Sequence, residues 1–151
     1  MDLNVALDKL RSICSRQEKS PSDIISHLKK WNVDPSEHQK ILTALTRDKY
    51  IDERRYASAF ARDKVRFDHW GMVKIRLILR QKGIDPKTAD DVLAEIDRDE
   101  YRSMIKQELS KKRKSLKGTP YEIWAKLARY GSSKGFEMKD MEEFLGGDPS
   151  M

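Results

Sequence analysis

The sequence predicts an all-α protein whose three tandem three-helix repeats stack in an elongated, curved row. Apolar residues recur at helical spacing along nearly the whole chain, and no segment combines two-residue alternation with an enrichment in β-branched residues. A pattern of residues also returns after about 50 positions, as in repeat proteins. The predicted repeats cover residues 1–51, 52–98 and 99–151, and the last one ends in a loose C-terminal tail.

The internal repeat is clearest when residues 71–84 are compared with the rest of the chain. Their glycine and apolar positions match positions 51 residues earlier and 52 residues later. The earlier positions are Ser20, Ile24, His27, Leu28, Trp31, Asn32 and Val33, and the later ones are Ile123, Leu127, Tyr130, Lys134, Gly135 and Phe136. Because a bundle of about 50 residues is only marginally stable alone, neighbouring repeats are expected to pack on one another.

The first helix of each repeat is predicted from a stripe of apolar residues three or four positions apart. The stripes are Leu3, Ala6, Leu7, Leu10 and Cys14; Tyr56, Ala57, Phe60, Ala61 and Val65; and Tyr101, Met104, Ile105 and Leu109.

The other helices are predicted from their ends. The second helix of each repeat should stop near Asn32, Gly83 or Gly135, since asparagine and glycine tolerate the left-handed conformation common at helix C-termini. The third helix follows Asp34-Pro35 in repeat 1 and Asp85-Pro86 in repeat 2, where aspartate is an N-cap and proline suits the first turn. In repeat 2 this helix carries an inward stripe of Ala89, Val92, Leu93 and Ile96.

Composition argues against a membrane or secreted protein. The longest uninterrupted apolar runs have three residues, whereas a membrane span needs about 20. A signal peptide is not expected, because Asp2 and Asp8 interrupt the segment where its apolar core would lie. Cys14 is the single cysteine, which cannot form an internal disulfide and fits a reducing cytosol.

Charge is segregated along the chain. Residues 54–82 include nine basic and two acidic residues, residues 85–100 seven acidic and two basic, and residues 102–117 seven basic and one acidic. Two basic blocks around an acidic block suggest that the partner is a polyanion or an acidic protein surface. The alternative is that each block is a solvated helix face. The acidic block can also serve as an intramolecular partner for a basic one.

The candidate partner-binding residues lie in the two basic blocks. Arg76 and Arg80 are four residues apart on a predicted helix and share one flank, so together they can grip phosphates or carboxylates. Arg80 and Lys82 also suit a helix C-terminus through the macrodipole. The full set consists of Arg62, Lys64, Arg66, Lys74, Arg76, Arg80, Lys82, Lys111, Lys112, Arg113 and Lys114.

Three aromatic residues of repeat 3 allow two interpretations. Tyr121, Trp124 and Tyr130 can stack on nucleic-acid bases. Trp124 aligns with Met72 of repeat 2, however, and that position favours a role in the core or between repeats.

Catalytic and metal-binding motifs are weak. Residues 131–135 match the letters G-x-S-x-G, but a nucleophile elbow follows a strand, and the repeat predicts that this segment ends a helix. The carboxylates of residues 85–100 lack the glycine and spacing of a calcium loop, and the single cysteine and three histidines lack metal-ligand spacing. No Gly-Lys-Ser/Thr phosphate loop is present in the sequence. We therefore expect no catalytic residues, no cofactor and no metal.

Several segments together resemble the RecX family of regulatory proteins. They are Arg16-x-Glu18-Lys19-Ser20, the run from Ile51 to Ala57, the segment from Gly71 to Ile84, and Ser133-Lys134-Gly135-Phe136. The resemblance covers essentially the whole chain. It implies three tandem three-helix repeats, no catalytic activity, a cytoplasmic location and modulation of the recombinase RecA. RecX proteins are thought to lie in the groove of the RecA–DNA filament and to restrain strand exchange, ATP hydrolysis and filament growth.

Two functional hypotheses follow. In the first, the chain is a monomeric regulator that binds a RecA-type recombinase filament, with possible direct contact to DNA and none to membranes. In the second, it binds DNA without a recombinase, since a three-helix unit can present a recognition helix. The acidic block argues against simple DNA binding because it would repel phosphates.

Overall fold

The predicted all-helical class is confirmed in the computed structural model, which describes residues 1–150. Nine α-helices and no strand occur in that range. The helices are α1 (Leu3–Arg16), α2 (Pro21–Lys30), α3 (His38–Arg47), α4 (Glu53–Asp63), α5 (Met72–Gln81), α6 (Pro86–Ala94), α7 (Arg98–Arg113), α8 (Pro120–Lys134) and α9 (Met138–Leu145). A short 3-10 helix (Pro35–Glu37) precedes α3, and a π-helical turn (Lys64–Asp68) follows α4 directly.

Helix ends lie where the sequence places them. Asn32, Gly83 and Gly135 adopt φ angles of 58°, 85° and 94° just beyond α2, α5 and α8. Asp34 accepts a hydrogen bond from the Ser36 N–H, but the chain first makes the 3-10 turn there, so that α3 begins later than expected.

The chain divides into two compact units, each with its own core. The first contains residues 1–60 and 78–92, and the second contains residues 61–77 and 93–150. Each unit therefore contains residues from two of the three predicted repeats. The three-repeat division at 51/52 and 98/99 stays a prediction.

The core of the first unit is built from the stripes read in the sequence. Its α1–α3 part buries Ala6, Leu10, Cys14, Ile24, Leu28, Val33, Ile41, Leu45 and Ile51. His27 is half-buried, and its ring centroid lies 5.3 Å from that of Trp31. Ser20 is fully buried, and its side chain and that of Asp23 form a capping box at the start of α2.

The core of the second unit lies among α7, α8 and α9. Buried residues of this unit include Val65, Met72, Ile75, Leu93, Tyr101, Met104, Ile105, Leu109, Leu127, Phe136, Met141 and Leu145. The phenol oxygen of Tyr101 accepts a hydrogen bond of 2.9 Å from the Met72 N–H at the start of α5. Burial raises the pKa of this phenol to about 12, so it stays neutral while it accepts that bond.

Two glycines allow the start of α5 to approach the end of α8 closely. The Gly71 N–H donates to the Lys134 carbonyl at 2.7 Å, and the Val73 N–H donates to the Gly135 carbonyl at 3.1 Å. A Cβ atom on Gly71 would lie 2.2 Å from the carbonyl carbon and oxygen of Gly135. The start of α5 therefore has no room for a side chain at this position.

A similar contact joins the start of α2 to the end of α5 in the first unit. The Ser22 N–H donates to the Lys82 carbonyl at 3.2 Å, and a Cβ on Gly83 would lie 3.4 Å from the Pro21 side chain. Ser22 corresponds to Val73 under the shift of 51 residues, and Lys82 corresponds to Lys134 under the shift of 52. Val73 bonds to the carbonyl of the next residue, Gly135, so contacts between corresponding segments recur one residue out of step.

Candidate partner-binding surface

The turn after α4 positions the first basic residues. Arg62 and Arg66 are exposed, and Lys64 is half-buried. Lys64 Nζ lies 2.9 Å from Asp68 Oδ2, and Arg66 Nε lies 2.9 Å from Glu100 Oε1. The carboxylate of Glu100 raises the pKa of Arg66. Glu100, a residue of the acidic block, is therefore an intramolecular partner of the first basic block. Intramolecular pairing is one of the two roles that the sequence allows for the acidic block.

Helix α5 and its end carry four more of the candidates. Lys74 is half-buried, and its ammonium lies 4.3 Å from the centroid of the Trp70 ring. Arg76 is half-buried and Arg80 is exposed. Lys82 turns back to Asp23, with 3.0 Å between Nζ and Oδ1.

The Lys82–Asp23 pair has a structural role that the sequence analysis did not identify. Its hydrogen bond to Asp23 raises the pKa of Lys82. Burial raises the pKa of Asp23, but bonds from Ser20 and Lys82 lower it more, so the net shift is downward. Lys82 thereby supports the capping box of α2.

The end of α7 presents the second basic group. Lys111, Arg113 and Lys114 are exposed. Lys112 is half-buried, and its ammonium lies 5.1 Å from the centroid of the Tyr130 ring. The structure thus splits the candidates into cations with internal partners and cations directed to solvent.

A hydrogen-bonded cluster next to the π-helical turn has no counterpart in the sequence analysis. His69, which adopts a left-handed φ of 55°, donates through Nδ1 to Glu108 Oε1. The Tyr130 hydroxyl donates to Glu108 Oε2 at 2.8 Å. Lys134 Nζ donates to the Asp68 carbonyl at 2.8 Å. These bonds fix the turn to α7 and α8.

The Glu108 carboxylate should make the stability of the second unit sensitive to acid. Burial raises its pKa, but the bonds from His69 and Tyr130 lower it more, and the net pKa lies below the ordinary 4.5. A carboxyl whose pKa is lower in the folded state stabilises the fold above the unfolded-state pKa. This contribution is lost as the pH falls through the folded-state pKa.

We therefore expect the free energy of unfolding to fall less between about pH 6 and about pH 3 in Glu108→Gln than in the parent. Urea unfolding across that range measures the difference. Glu142→Gln, at an exposed position on α9, is the control and should follow the parent. An unchanged pH profile in Glu108→Gln would contradict the assigned role of this carboxylate.

The serine motif of the sequence lies at a helix end, as the repeat predicts. Residues 131–134 form the last turn of α8 and Gly135 follows it, so no strand precedes Ser133. Trp124 is half-buried, and its Nε1 donates to the Gly146 carbonyl at 3.2 Å. Trp124 thereby contacts the tail that the sequence predicts to be loose.

Residues 1–150 contain neither a candidate metal cluster nor a helix suited to span a membrane. No group of three or more His, Cys, Asp or Glu residues among residues 1–150 is placed to hold a metal ion. None of the helices in this range has the length and apolar character needed to cross a membrane.

The chain is similar to known regulatory proteins. A family model described as RecX, second three-helix domain, matches residues 52–93. Regulatory protein RecX of Clostridium tetani is 27% identical over 141 residues, which cover 91% of this chain and 64% of that protein. The RecX protein of Halalkalibacterium halodurans is 26% identical, with 97% and 54% covered. The chain thus spans about half to two thirds of the length of these two relatives.

Other RecX proteins are matched by this chain over a larger share of their own length. Regulatory protein RecX of Prosthecochloris aestuarii is 26% identical over 144 residues, covering 95% of this chain and 93% of that protein. The crystal structure of a regulatory protein RecX superposes with a TM-score of 0.87 at 25% identity, covering 95% of this chain and 73% of that one. RecX from Lactobacillus salivarius shares the fold, with a TM-score of 0.76 at 19% identity and 95% and 96% covered. The family-model match over residues 52–93, the relatives and the solved structures agree in their similarity of this chain to the RecX family of regulatory proteins.

Proposed function

We propose that this chain binds a RecA-type recombinase filament in the cytoplasm and restrains the recombinase without catalysing a reaction. The observation that carries the proposal is a set of exposed cations that form no ion pair with a carboxylate of residues 1–150. Among the candidate residues of the sequence analysis, they are Arg80, Lys111, Arg113 and Lys114. In a family of regulatory proteins, such cations are suited to phosphates or acidic side chains of a nucleoprotein filament.

The proposed mechanism is steric and electrostatic. Exposed cations attract phosphates and carboxylates, and this attraction weakens as salt screens it. A protein held on a filament by such contacts hinders the motion and growth of the filament. No bond has to be made or broken for this effect.

Direct DNA binding is the second candidate, and the structure supplies an observation in its favour. Several carboxylates of the acidic block are used locally. Asp97 caps α7, Asp85 accepts a bond from the Lys87 N–H, Asp91 pairs with Lys87, and Glu100 pairs with Arg66. Their repulsion of DNA phosphates is therefore weaker than the count of charges in the sequence suggests.

Reversing charge at the end of α7 tests the proposal. The double variant R113E/K114E should bind RecA filaments about tenfold more weakly than the parent in co-sedimentation at moderate salt. K29E/K30E makes the same charge change at exposed positions in the last turn of α2, and it should bind like the parent. Circular dichroism should show equal helicity for all three proteins.

The same assay separates the two candidates when naked DNA is sedimented at matched salt. The parent should prefer filaments to naked DNA. Equal binding of the parent to both, with equal losses in R113E/K114E, would favour the DNA-binding function. If the parent did not bind filaments at all, the recombinase proposal would be wrong. R76E/R80E tests the α5 candidates in the same way.

A further inference from the structure

Phe67 is the most exposed large hydrophobic residue in the part of the chain that the structure describes. It is 77% exposed, while the next, Leu77, is 53% exposed. It lies within the π-helical turn that follows α4. An aromatic side chain directed to water from such a turn does not contribute to either core.

The turn that carries Phe67 is held in place on both sides. Before it in the chain, the Lys64 carbonyl accepts from the Trp70 N–H at 3.0 Å. After it, the Asp68 carbonyl accepts from Lys134 Nζ, and the left-handed His69 donates to Glu108. A non-glycine residue keeps a left-handed conformation only where its surroundings impose it. Phe67 is therefore presented by a fixed turn rather than by a free loop.

The charges beside Phe67 favour a protein over a nucleic acid as its partner. Lys64 is paired with Asp68 and Arg66 with Glu100. Each of these two cations is balanced by a carboxylate, so the two pairs carry no net positive charge to attract phosphates. Proteins that bind single-stranded nucleic acid combine aromatic stacking with a positively charged groove along the backbone. A ring surrounded by neutralised charge instead fits an apolar pocket with a polar rim.

We propose that Phe67 is an anchor that inserts into an apolar pocket on the protein partner of this chain. The inference rests on the proposed function, in which that partner is the recombinase filament. Aromatic anchors in apolar pockets carry a large share of the binding energy at protein interfaces. The pre-formed turn reduces the conformational entropy that binding would otherwise cost.

The test compares Phe67→Ala with Phe67→Leu and with Met138→Ala. Phe67→Ala should bind RecA filaments at least about tenfold more weakly, and Phe67→Leu should recover part of the loss. Met138, 42% exposed on α9, is the control, and its alanine variant should bind like the parent. Because the contact is apolar, the loss in Phe67→Ala should be nearly the same at low and high salt, unlike that in R113E/K114E.

Each remaining outcome decides a different point. If Phe67→Ala bound filaments as tightly as the parent, the anchor proposal would be wrong and the proposed function would be unaffected. If Phe67→Ala lost naked-DNA binding as much as filament binding, the ring would stack on bases, and the anchor proposal would again be wrong. A parent protein that does not bind filaments would overturn the proposed function and the anchor with it. Thermal unfolding should show equal stability for the parent and all three variants.

Discussion

Replacing Gly71 with alanine should lower the free energy of unfolding by about 3 kcal/mol. The added Cβ would lie 2.2 Å from the carbonyl carbon and oxygen of Gly135 and 2.5 Å from the Phe136 nitrogen. These are backbone atoms, so no side-chain rotation relieves the overlap. Moving α5 away from α8 would break the 2.7 Å bond from the Gly71 N–H to the Lys134 carbonyl. Urea unfolding followed by circular dichroism measures the change.

Gly147→Ala is the matched control for this substitution. A Cβ on Gly147 would meet no atom within 4 Å, so its alanine variant should differ from the parent by less than about 0.5 kcal/mol. A loss below about 1 kcal/mol in Gly71→Ala would mean that the two backbones do not approach so closely in solution.

The helices and their ends could be predicted because their signals are local. Apolar residues three or four apart mark a buried face wherever the chain can form a helix. Asn32 and Gly83 mark ends because they tolerate positive φ, which both adopt. The repeat spacing could predict which segments correspond. The backbone bonds donated by Ser22 and by Val73, which are 51 residues apart, follow that correspondence.

The π-helical turn and its cluster could not be predicted, because their causes lie far away in the chain. Histidine occurs at positive φ more often than most residues, but one histidine does not by itself mark a helix end, and Glu108, which holds His69, is 39 residues away. A period of about 50 residues does not bring these two positions into register. The exposed Phe67 therefore cannot be distinguished in the sequence from the apolar residues that form the core.

The sequence predicted which basic residues form the candidate surface. It did not predict which of them pair with carboxylates inside the fold. A count of charges in a block does not show which cations are neutralised within the fold. Lys82 was expected to act through the helix dipole or a partner, and it pairs with Asp23, 59 residues away. Arg80, two residues earlier in the sequence, is exposed. Only the three-dimensional arrangement separates the two.

Replacing Leu93 with alanine should lower the free energy of unfolding by about 2–5 kcal/mol. Leu93 lies on α6 within a predicted apolar stripe and is 2% exposed. Its truncation removes buried methyl groups and leaves a cavity that the surrounding helices fill only in part. Thermal or urea unfolding should show this loss as a lower midpoint with an unchanged helical baseline.

Leu77→Ala makes the same chemical change at a position that is 53% exposed on α5. Most of that side chain is already in water, so its loss should change stability by less than about 0.5 kcal/mol. Both positions lie in α-helices, so the change in helix propensity from leucine to alanine is similar in the two variants. The difference between their losses of unfolding free energy therefore measures the effect of burial. If Leu77→Ala were the more damaging variant, the inward face assigned to the α6 stripe would be wrong, and with it the helical register that places Leu93 in the core.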